Sequence, residues 1–462
     1  MNAFGLFLPI LKLYLCGLFS FMKHILIIGA GRSSSSLITY LLKHAAAENW
    51  QVRVGDMNAA EAARKVNGNT RGTAFAFDIN NETQREAEIS AADVVVSMLP
   101  AFMHGAVARD CVRLGKHLVT ASYVSDEMRA LDAEAKAKGI LLLNEIGLDP
   151  GIDHMSAMQV IDRIKAAGGE LTAFYSYCGG LVAPESNDNP WGYKFSWNPR
   201  NVILAGQGTA QYIENAKYKY LPYSRVYSNA ASIEVEGWGS FDAYANRDSL
   251  SYRSVYGIEN IPTMLRGTLR MPGYCKAWNV FVQLGLTDDT WKIHNASELS
   301  YAELVESFLP ARNGTVKQRL AAFMNVPETS AEIELVEWTG ILSDAKIPMN
   351  EGSPAQILQQ LLETKWVLRA GDKDMIVMQH IFEYLQNGQP HRITSSLVVK
   401  GDDEVHTAMA KTVGLPAAMA VRRLLRGELN RTGVCVPVSA DIYEPVLAEL
   451  ETEGIRFTEK EG

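Results

Sequence analysis

From His24 to about residue 144, short runs that are apolar throughout alternate with amphipathic segments. The run Ile25-Leu26-Ile27-Ile28 stops at Gly29-Ala30-Gly31. It is followed by Leu37, Ile38, Leu41 and Leu42, spaced to share one helical face. Further apolar runs occupy 51–56, 93–99, 117–120 and 140–144, and another ends at Phe77-Asp78-Ile79. Helical patterns fall between them at 59–67, 82–88, 106–114 and 126–138. Strands without a polar side are those covered on both faces, so the alternation predicts a doubly wound parallel sheet, an α/β domain of Rossmann type.

Beyond Pro150-Gly151 a helix is predicted to about residue 165, ended by Ala167-Gly168-Gly169, and the texture then changes. Strand-like stretches at 171–178, 232–244 and 264–271 are joined by polar, aromatic loops such as 187–197, which reads as an α+β domain. Residues 285–368 are helical in pattern, with no strand of note. Strand-like segments at 374–382 and 393–399 return to the middle sheet, and a closing helix at 408–425 contains Pro416. The expected organisation is an apolar extension at 1–21 and a dinucleotide-binding domain at 22–150, closed by 404–462. A substrate domain at 151–284 with 369–403 and a helical domain at 285–368 complete it.

Composition narrows the function. A chain of 462 residues with 47% hydrophobic and 21% charged residues is that of a folded, multi-domain protein. A net charge of −8 with no Lys/Arg run argues against nucleic acid as a partner. Cys16, Cys111, Cys178, Cys275 and Cys435 lie far apart, with no Cys-x-x-Cys and no metal-ligand spacing, so no metal and a reducing, cytoplasmic setting are expected. Residues 1–21 carry Lys12 as their single charge and have the length of a membrane segment, but a sheet strand follows with no spacer. The expectation is a dispensable extension before a start near Met22-Lys23, and no membrane association unless that stretch is native.

In the strand-turn-helix at 24–42, Gly29 makes the turn and Gly31 lets backbone approach a pyrophosphate, which rests on the new helix's free N–H groups. The third small position is Ser34. The second strand ends in Asp56, placed to accept from a ribose hydroxyl. A nicotinamide cofactor is expected. The C-terminal strand ends of such a sheet hold the ligands, which puts Leu99-Pro100, Ala121-Ser122-Tyr123 and Gly147-Leu148-Asp149-Pro150 at the cofactor edge.

Several loops combine Gly and Pro with charged or aromatic residues: Thr120-Ala121-Ser122-Tyr123, Asn144-Glu145-Ile146-Gly147-Leu148-Asp149-Pro150-Gly151-Ile152-Asp153-His154, Ser176-Tyr177-Cys178-Gly179-Gly180-Leu181, Pro184-Glu185, Asn246-Arg247-Asp248-Ser249 and Arg266-Gly267-Thr268-Leu269-Arg270. From about Lys23 to the C-terminus, the sequence resembles glutamate-forming saccharopine dehydrogenases, also called saccharopine reductases. The C-terminal half of the bifunctional animal lysine-degrading enzyme shares the resemblance. It implies nicotinamide-dependent oxidation of saccharopine to glutamate and 2-aminoadipate 6-semialdehyde, or the reverse condensation, in lysine metabolism. It also implies that Ala30, Gly31, Arg32 and Ser33 hold the pyrophosphate and that Asp56, Asp78, Ile79 and Leu99 flank adenosine. Ser122, Tyr123, Asp149, Arg247, Thr268, Leu269 and Arg270 would hold saccharopine.

The residue chemistry agrees with that implication. Saccharopine carries several carboxylates, and an arginine fork grips a carboxylate through two parallel hydrogen bonds, which suits Arg247 and Arg270. Oxidising a secondary amine needs it deprotonated: Asp149 could orient or deprotonate it, with Tyr123 or Lys194 relaying protons. Cys178 lies near the expected substrate, with a structural thiol the favoured reading. Fungal relatives place an arginine after the second strand for the 2′-phosphate of NADP. Here Gly55-Asp56-Met57-Asn58 carries no cation, so NAD is expected in preference to NADP. The competing readings are a dehydrogenase of another carboxylated secondary amine, such as a carboxypolyamine, and a non-catalytic NAD sensor. A homodimer is the default assembly.

Overall fold

Seven parallel strands organise the N-terminal unit of the protein, whose computed structural model describes residues 22–462. The expectations for residues 1–21 lie outside the described residues. The chain divides into two compact units: residues up to Gly151 with Val413–Pro437, and Ile152–Thr412 with Val438–Gly462. Of the expected closing segment 404–462, only 413–437 therefore belongs to the first unit.

In the first unit the strands are β1 (Lys23–Ile28), β2 (Trp50–Asp56), β3 (Gly72–Ala76), β4 (Val94–Ser97), β5 (His117–Thr120) and β6 (Leu141–Leu143). The short strand Gly433–Cys435 adds beside β6, giving the order Gly433–Cys435, β6, β5, β4, β1, β2, β3. The winding reverses between β1 and β4, the switch point at which such sheets bind ligands. The continuous apolar runs are explained by burial: Ile25, Ile27, Ile28 and Val94-Val95-Val96 are fully enclosed. Two differences from the sequence reading are local. The third strand ends at Ala76, ahead of Asp78-Ile79, and the predicted helix 126–138 is two short helices, Asp126–Ala130 and Asp132–Ala137.

The second unit is built on a nine-stranded mixed sheet: β7 (Glu170–Val182), β8 (Ala210–Glu214), β9 (Lys217–Leu221), β10 (Ala231–Val235), β11 (Gly239–Ala245) and β12 (Thr263–Arg270), followed by Asp374–Gln386, Gln389–Lys400 and Thr458–Glu461. β12 runs parallel to β7, while Asp374–Gln386 runs antiparallel along β7's other edge. The returning strands are thus where the pattern predicted, whereas the single stretch expected at 232–244 is the hairpin β10–β11.

Helices Tyr301–Phe308, Val316–Met324 and Pro354–Lys365 each start with a capping box, Ser300 with Glu303, Thr315 with Gln318 and Ser353 with Gln356. Each box satisfies two otherwise orphaned N–H groups and fixes the helix start from local sequence. These helices share one apolar core with Trp191, Tyr193, Trp278 and Trp366. Residues 285–368 therefore belong to the second unit rather than standing apart. No helix among the described residues is long and apolar enough to cross a membrane.

Candidate functional site

At the first β-turn-helix, Gly29 has a φ of +102°, and a Cβ there would lie 2.9 Å from the Met98 carbonyl oxygen, so only glycine fits. At Gly31 a Cβ would meet nothing within 4 Å. Backbone is open to a ligand at that point, the space a pyrophosphate needs, so the residues present fit a dinucleotide. Buried Ala30 precedes it, and Arg32 and Ser33 follow on a 3₁₀ turn, Arg32–Ser34, which leads into the helix Ser35–Ala45. Ser34 Oγ donates to the Gly31 carbonyl at 2.9 Å and accepts from Lys65 Nζ at 3.1 Å, and Lys65 also donates to the Gly31 carbonyl. Burial pulls the Lys65 ammonium down to about 8, against the opposing pull of Glu61.

Asp56 does not present a free carboxylate. Its Oδ2 accepts from the Ala30 amide at 2.6 Å and its Oδ1 from the Asn58 amide at 2.8 Å, so the acid ties the second strand to the turn. Asp78 is exposed and folded into a turn with Asn80 at 2.9 Å, and Ile79 is buried in the sheet core with Leu99 packed against it.

The loops after β5 and β6 bring together several of the expected residues. The Tyr123 hydroxyl donates to Asp149 Oδ1 at 3.1 Å, with Tyr123 44% exposed and Asp149 half-buried. Leu148 and Pro150 are buried on either side of Asp149. A Cβ at Gly147 would lie 2.8 Å from the Cβ of Ala121, so the two loops approach closely. Buried Glu145 latches them: its amide donates to the Ser122 carbonyl at 3.1 Å, and its Oε1 accepts from the Val124 amide at 2.9 Å. His104, the first residue of helix His104–Leu114, lies beneath. Its Nδ1 is 2.8 Å from Ser97 Oγ and its Nε2 is 2.7 Å from Ser122 Oγ. Burial holds its imidazole at about 4, so it is neutral at physiological pH.

In the second unit, Thr268 of β12 is in register with Cys178 of β7 and with Tyr244 of β11, so the three form one row across the sheet. Cys178 is buried and Leu269 is fully enclosed in the sheet core. Arg270 is 4% exposed, with its guanidinium 5.3 Å from the Tyr193 ring, 5.5 Å from Tyr274 and 5.8 Å from Tyr244. Its Nη1 donates to the Leu269 carbonyl at 2.9 Å and its Nε has no protein acceptor. Among the described residues no carboxylate pairs with it. Arg247 is exposed on the loop after β11, held through its backbone by Gln211 at 2.7 Å. Lys194 is 2% exposed along its side chain, its ammonium 2.7 Å from Asp372 and 3.0 Å from Asp188. Two carboxylates give it the geometry of a loop anchor instead of a free proton relay.

Sequence reasoning missed His104, Lys65 and the buried pair Arg266–Asp153. Each is a lone residue in the chain whose partners lie 18, 31 and 113 positions away. The local signals were faint: a histidine at a helix start and a lysine on an otherwise apolar helix face. No group of three or more possible ligands for a metal ion occurs among the described residues.

Comparison with known proteins fits this arrangement. The family model described as the saccharopine dehydrogenase NADP binding domain matches residues 25–143, and that of the saccharopine dehydrogenase C-terminal domain matches 147–455. The chain is 36% identical over 412 residues to the saccharopine dehydrogenase [NADP(+), L-glutamate-forming] of Pyricularia oryzae, covering 87% of this chain and 91% of that protein. It is 36% identical over 453 residues to the mitochondrial alpha-aminoadipic semialdehyde synthase of Bos taurus, matching 94% of this chain but 47% of the relative, so it spans about half of that protein. The solved apo saccharopine dehydrogenase (L-Glu forming) of Saccharomyces cerevisiae superposes with a TM-score of 0.85 at 33% identity, covering 95% of this chain and all of that one.

The expected preference for NAD is corrected by these findings, since the fungal relatives' names carry NADP(+) and the matching domain model is one for NADP binding. In the structure the Asp56 carboxylate accepts from two backbone amides and ties the second strand to the turn, so an acid at that strand end does not by itself mark a ribose contact. With matches that together span nearly the whole described chain, the protein belongs to the glutamate-forming saccharopine dehydrogenase family.

Proposed function

We propose that this protein interconverts saccharopine and water with L-glutamate and 2-aminoadipate 6-semialdehyde, using NADP(H) as the redox partner. The observation that carries the reading is Arg270, a cation enclosed by three tyrosines with no carboxylate of its own among the described residues. A buried charge is tolerated when it is paired, and a ligand carboxylate would supply the missing partner. Exposed Arg247 offers a second fork for a substrate with more than one carboxylate.

The cofactor, when bound, accepts or returns the hydride. The glycine turn at 29–31 would hold its pyrophosphate, with Lys65 fixing the Gly31 peptide from beneath. Asp149, hydrogen-bonded to Tyr123, is the group for the amine proton: as a carboxylate it accepts that proton, and the exposed phenol beside it passes protons outward. Lys194 takes no part in this scheme, because Asp188 and Asp372 hold it.

The test is to incubate purified protein with saccharopine and NADP+, following the absorbance of reduced cofactor and assaying glutamate. Equimolar appearance of both supports the proposal. Reduction absent with saccharopine under NADP+ and NAD+ alike would reject it.

A further inference from the structure

His104 is absent from every role assigned so far, yet it touches three hydroxyls at the ends of β4 and β5. Nδ1 faces Ser97 Oγ at 2.8 Å, Nε2 faces Ser122 Oγ at 2.7 Å, and Thr120 Oγ1 stands farther from Nε2 at 3.4 Å. The ring is 4% exposed and begins a helix, whose positive end disfavours a proton on it. A neutral imidazole has one N–H and one lone pair, so it donates to one serine and accepts from the other.

Burial decides which. Ser97 is 1% exposed, and among the described residues its hydroxyl has His104 as its hydrogen-bond partner. If Ser97 accepted from the ring, its own proton would be buried without an acceptor, which is costly. Thr120 is equally buried and would use Nε2 as its acceptor in the other tautomer, but its contact is 3.4 Å against 2.8 Å for Ser97, so the shorter bond prevails and Ser97 donates to Nδ1. The ring proton then lies on Nε2 and is donated to Ser122 Oγ. Ser122 is half-buried at the loop surface, and its own proton is left to point away from the ring.

We propose that His104 is a positioning residue that, through Nε2–H, fixes the Ser122 hydroxyl as a donor to a carboxylate oxygen of the substrate. This rests on the proposed function and on the expectation, implied by the resemblance, that Ser122 holds saccharopine. Nothing in this device changes protonation state during turnover. Its effect is on binding and orientation, so it belongs in KM rather than in the pH profile of kcat.

Asparagine and glutamine at position 104 separate positioning from simple packing. The amide of asparagine reaches the Nδ1 position and keeps Ser97 alone, whereas that of glutamine reaches the Nε2 position and can still donate to Ser122. In steady-state oxidation of saccharopine, S122A and H104N should each raise KM about tenfold with kcat within twofold, and H104Q should stay within about threefold of the wild type. H104N/S122A should be no worse than S122A. Effects of H104N and S122A that multiply in the double variant would overturn the proposal, as would H104N matching the wild-type KM while S122A raises it. A silent S122A would remove the reading of Ser122 itself and the inference with it. If H104N fails to fold, a near-wild-type KM in H104Q beside a raised KM in S122A supports the proposal, and an H104Q as impaired as S122A overturns it.

Discussion

Strand β12 carries two arginines four residues apart, Arg266 and Arg270, each 4% exposed, and the protein treats them differently. Arg266 has its own counter-ion: Nη2 is 2.7 Å from Asp153 Oδ2, its guanidinium lies 4.2 Å from the Tyr252 ring, and its backbone amide holds Ser249 at 2.8 Å. Around it the neighbours are polar and interlocked, with His154 Nδ1 2.5 Å from the Tyr256 hydroxyl and His380 Nε2 2.8 Å from Ser156. Arg270 lies among aromatic rings and, among the described residues, forms no ion pair: Asp242, opposite it in register on β11, is taken up by the Gly273 and Cys275 amides. The charge of Arg266 is matched inside the fold, and under the proposed function that of Arg270 is left for the ligand to match. Burial alone does not distinguish them; the counter-ion does.

The largest effect should come from breaking the internal pair. Asp153→Ala leaves the Arg266 guanidinium buried without its carboxylate, and unfolding experiments in denaturant should show a loss of roughly 3–5 kcal/mol. A loss below about 1 kcal/mol would mean that the pair does not hold this region, and the contrast with Arg270 would fail.

Next is a pH effect that the Arg266 region shares with His104, whose imidazole burial also holds at about 4. Burial lowers the His380 imidazole to about 4, from a usual value near 6.5, so between these values the unfolded chain takes up a proton that the fold refuses. Its contribution is complete above about pH 6.5 and is lost as pH falls toward 4, a difference on the order of 3 kcal/mol. His380→Gln should make the stability profile less steep across that window, leaving the part due to His104. A profile as steep as that of the wild type would show that His380 titrates normally in the fold.

For Arg270→Met the expectation reverses: thermal stability should hold or rise, because a desolvated cation is replaced by an apolar chain of similar length. The KM for saccharopine should rise roughly 10- to 100-fold, as when a charge-assisted bond of about 1.5–3 kcal/mol is lost. A fall in melting temperature with unchanged KM would make Arg270 a structural residue like Arg266. The smallest effect is expected for exposed Arg247→Met: a rise in KM of about tenfold or less, diminishing as salt is raised, with no change in stability. A salt-independent KM equal to that of the wild type would remove Arg247 from the substrate grip.

What the sequence by itself determined was local and periodic. Fully apolar runs marked β1 and β4 as covered on both faces, and the break at Gly29-Ala30-Gly31 marked the turn that only glycine can make beside Met98. The loop chemistry at 120–123 and 144–151 pointed to Tyr123 and Asp149, which the fold joins by a hydrogen bond. The strand Gly433–Cys435 was invisible because three residues are too few to show a period, and its partner β6 lies about 290 residues earlier. Asp56 was legible as an acid at a strand end. Whether its carboxylate faced a ribose or the turn depended on where the Ala30 and Asn58 amides came to lie. Only the tertiary structure gave His104 its serines and Arg266 its aspartate, and left Arg270 without an ion pair among the described residues. The reason is physical: a turn or a strand period is a property of neighbours in the chain, whereas the partner of a charge or a buried proton is whatever the fold brings within about 3 Å of it.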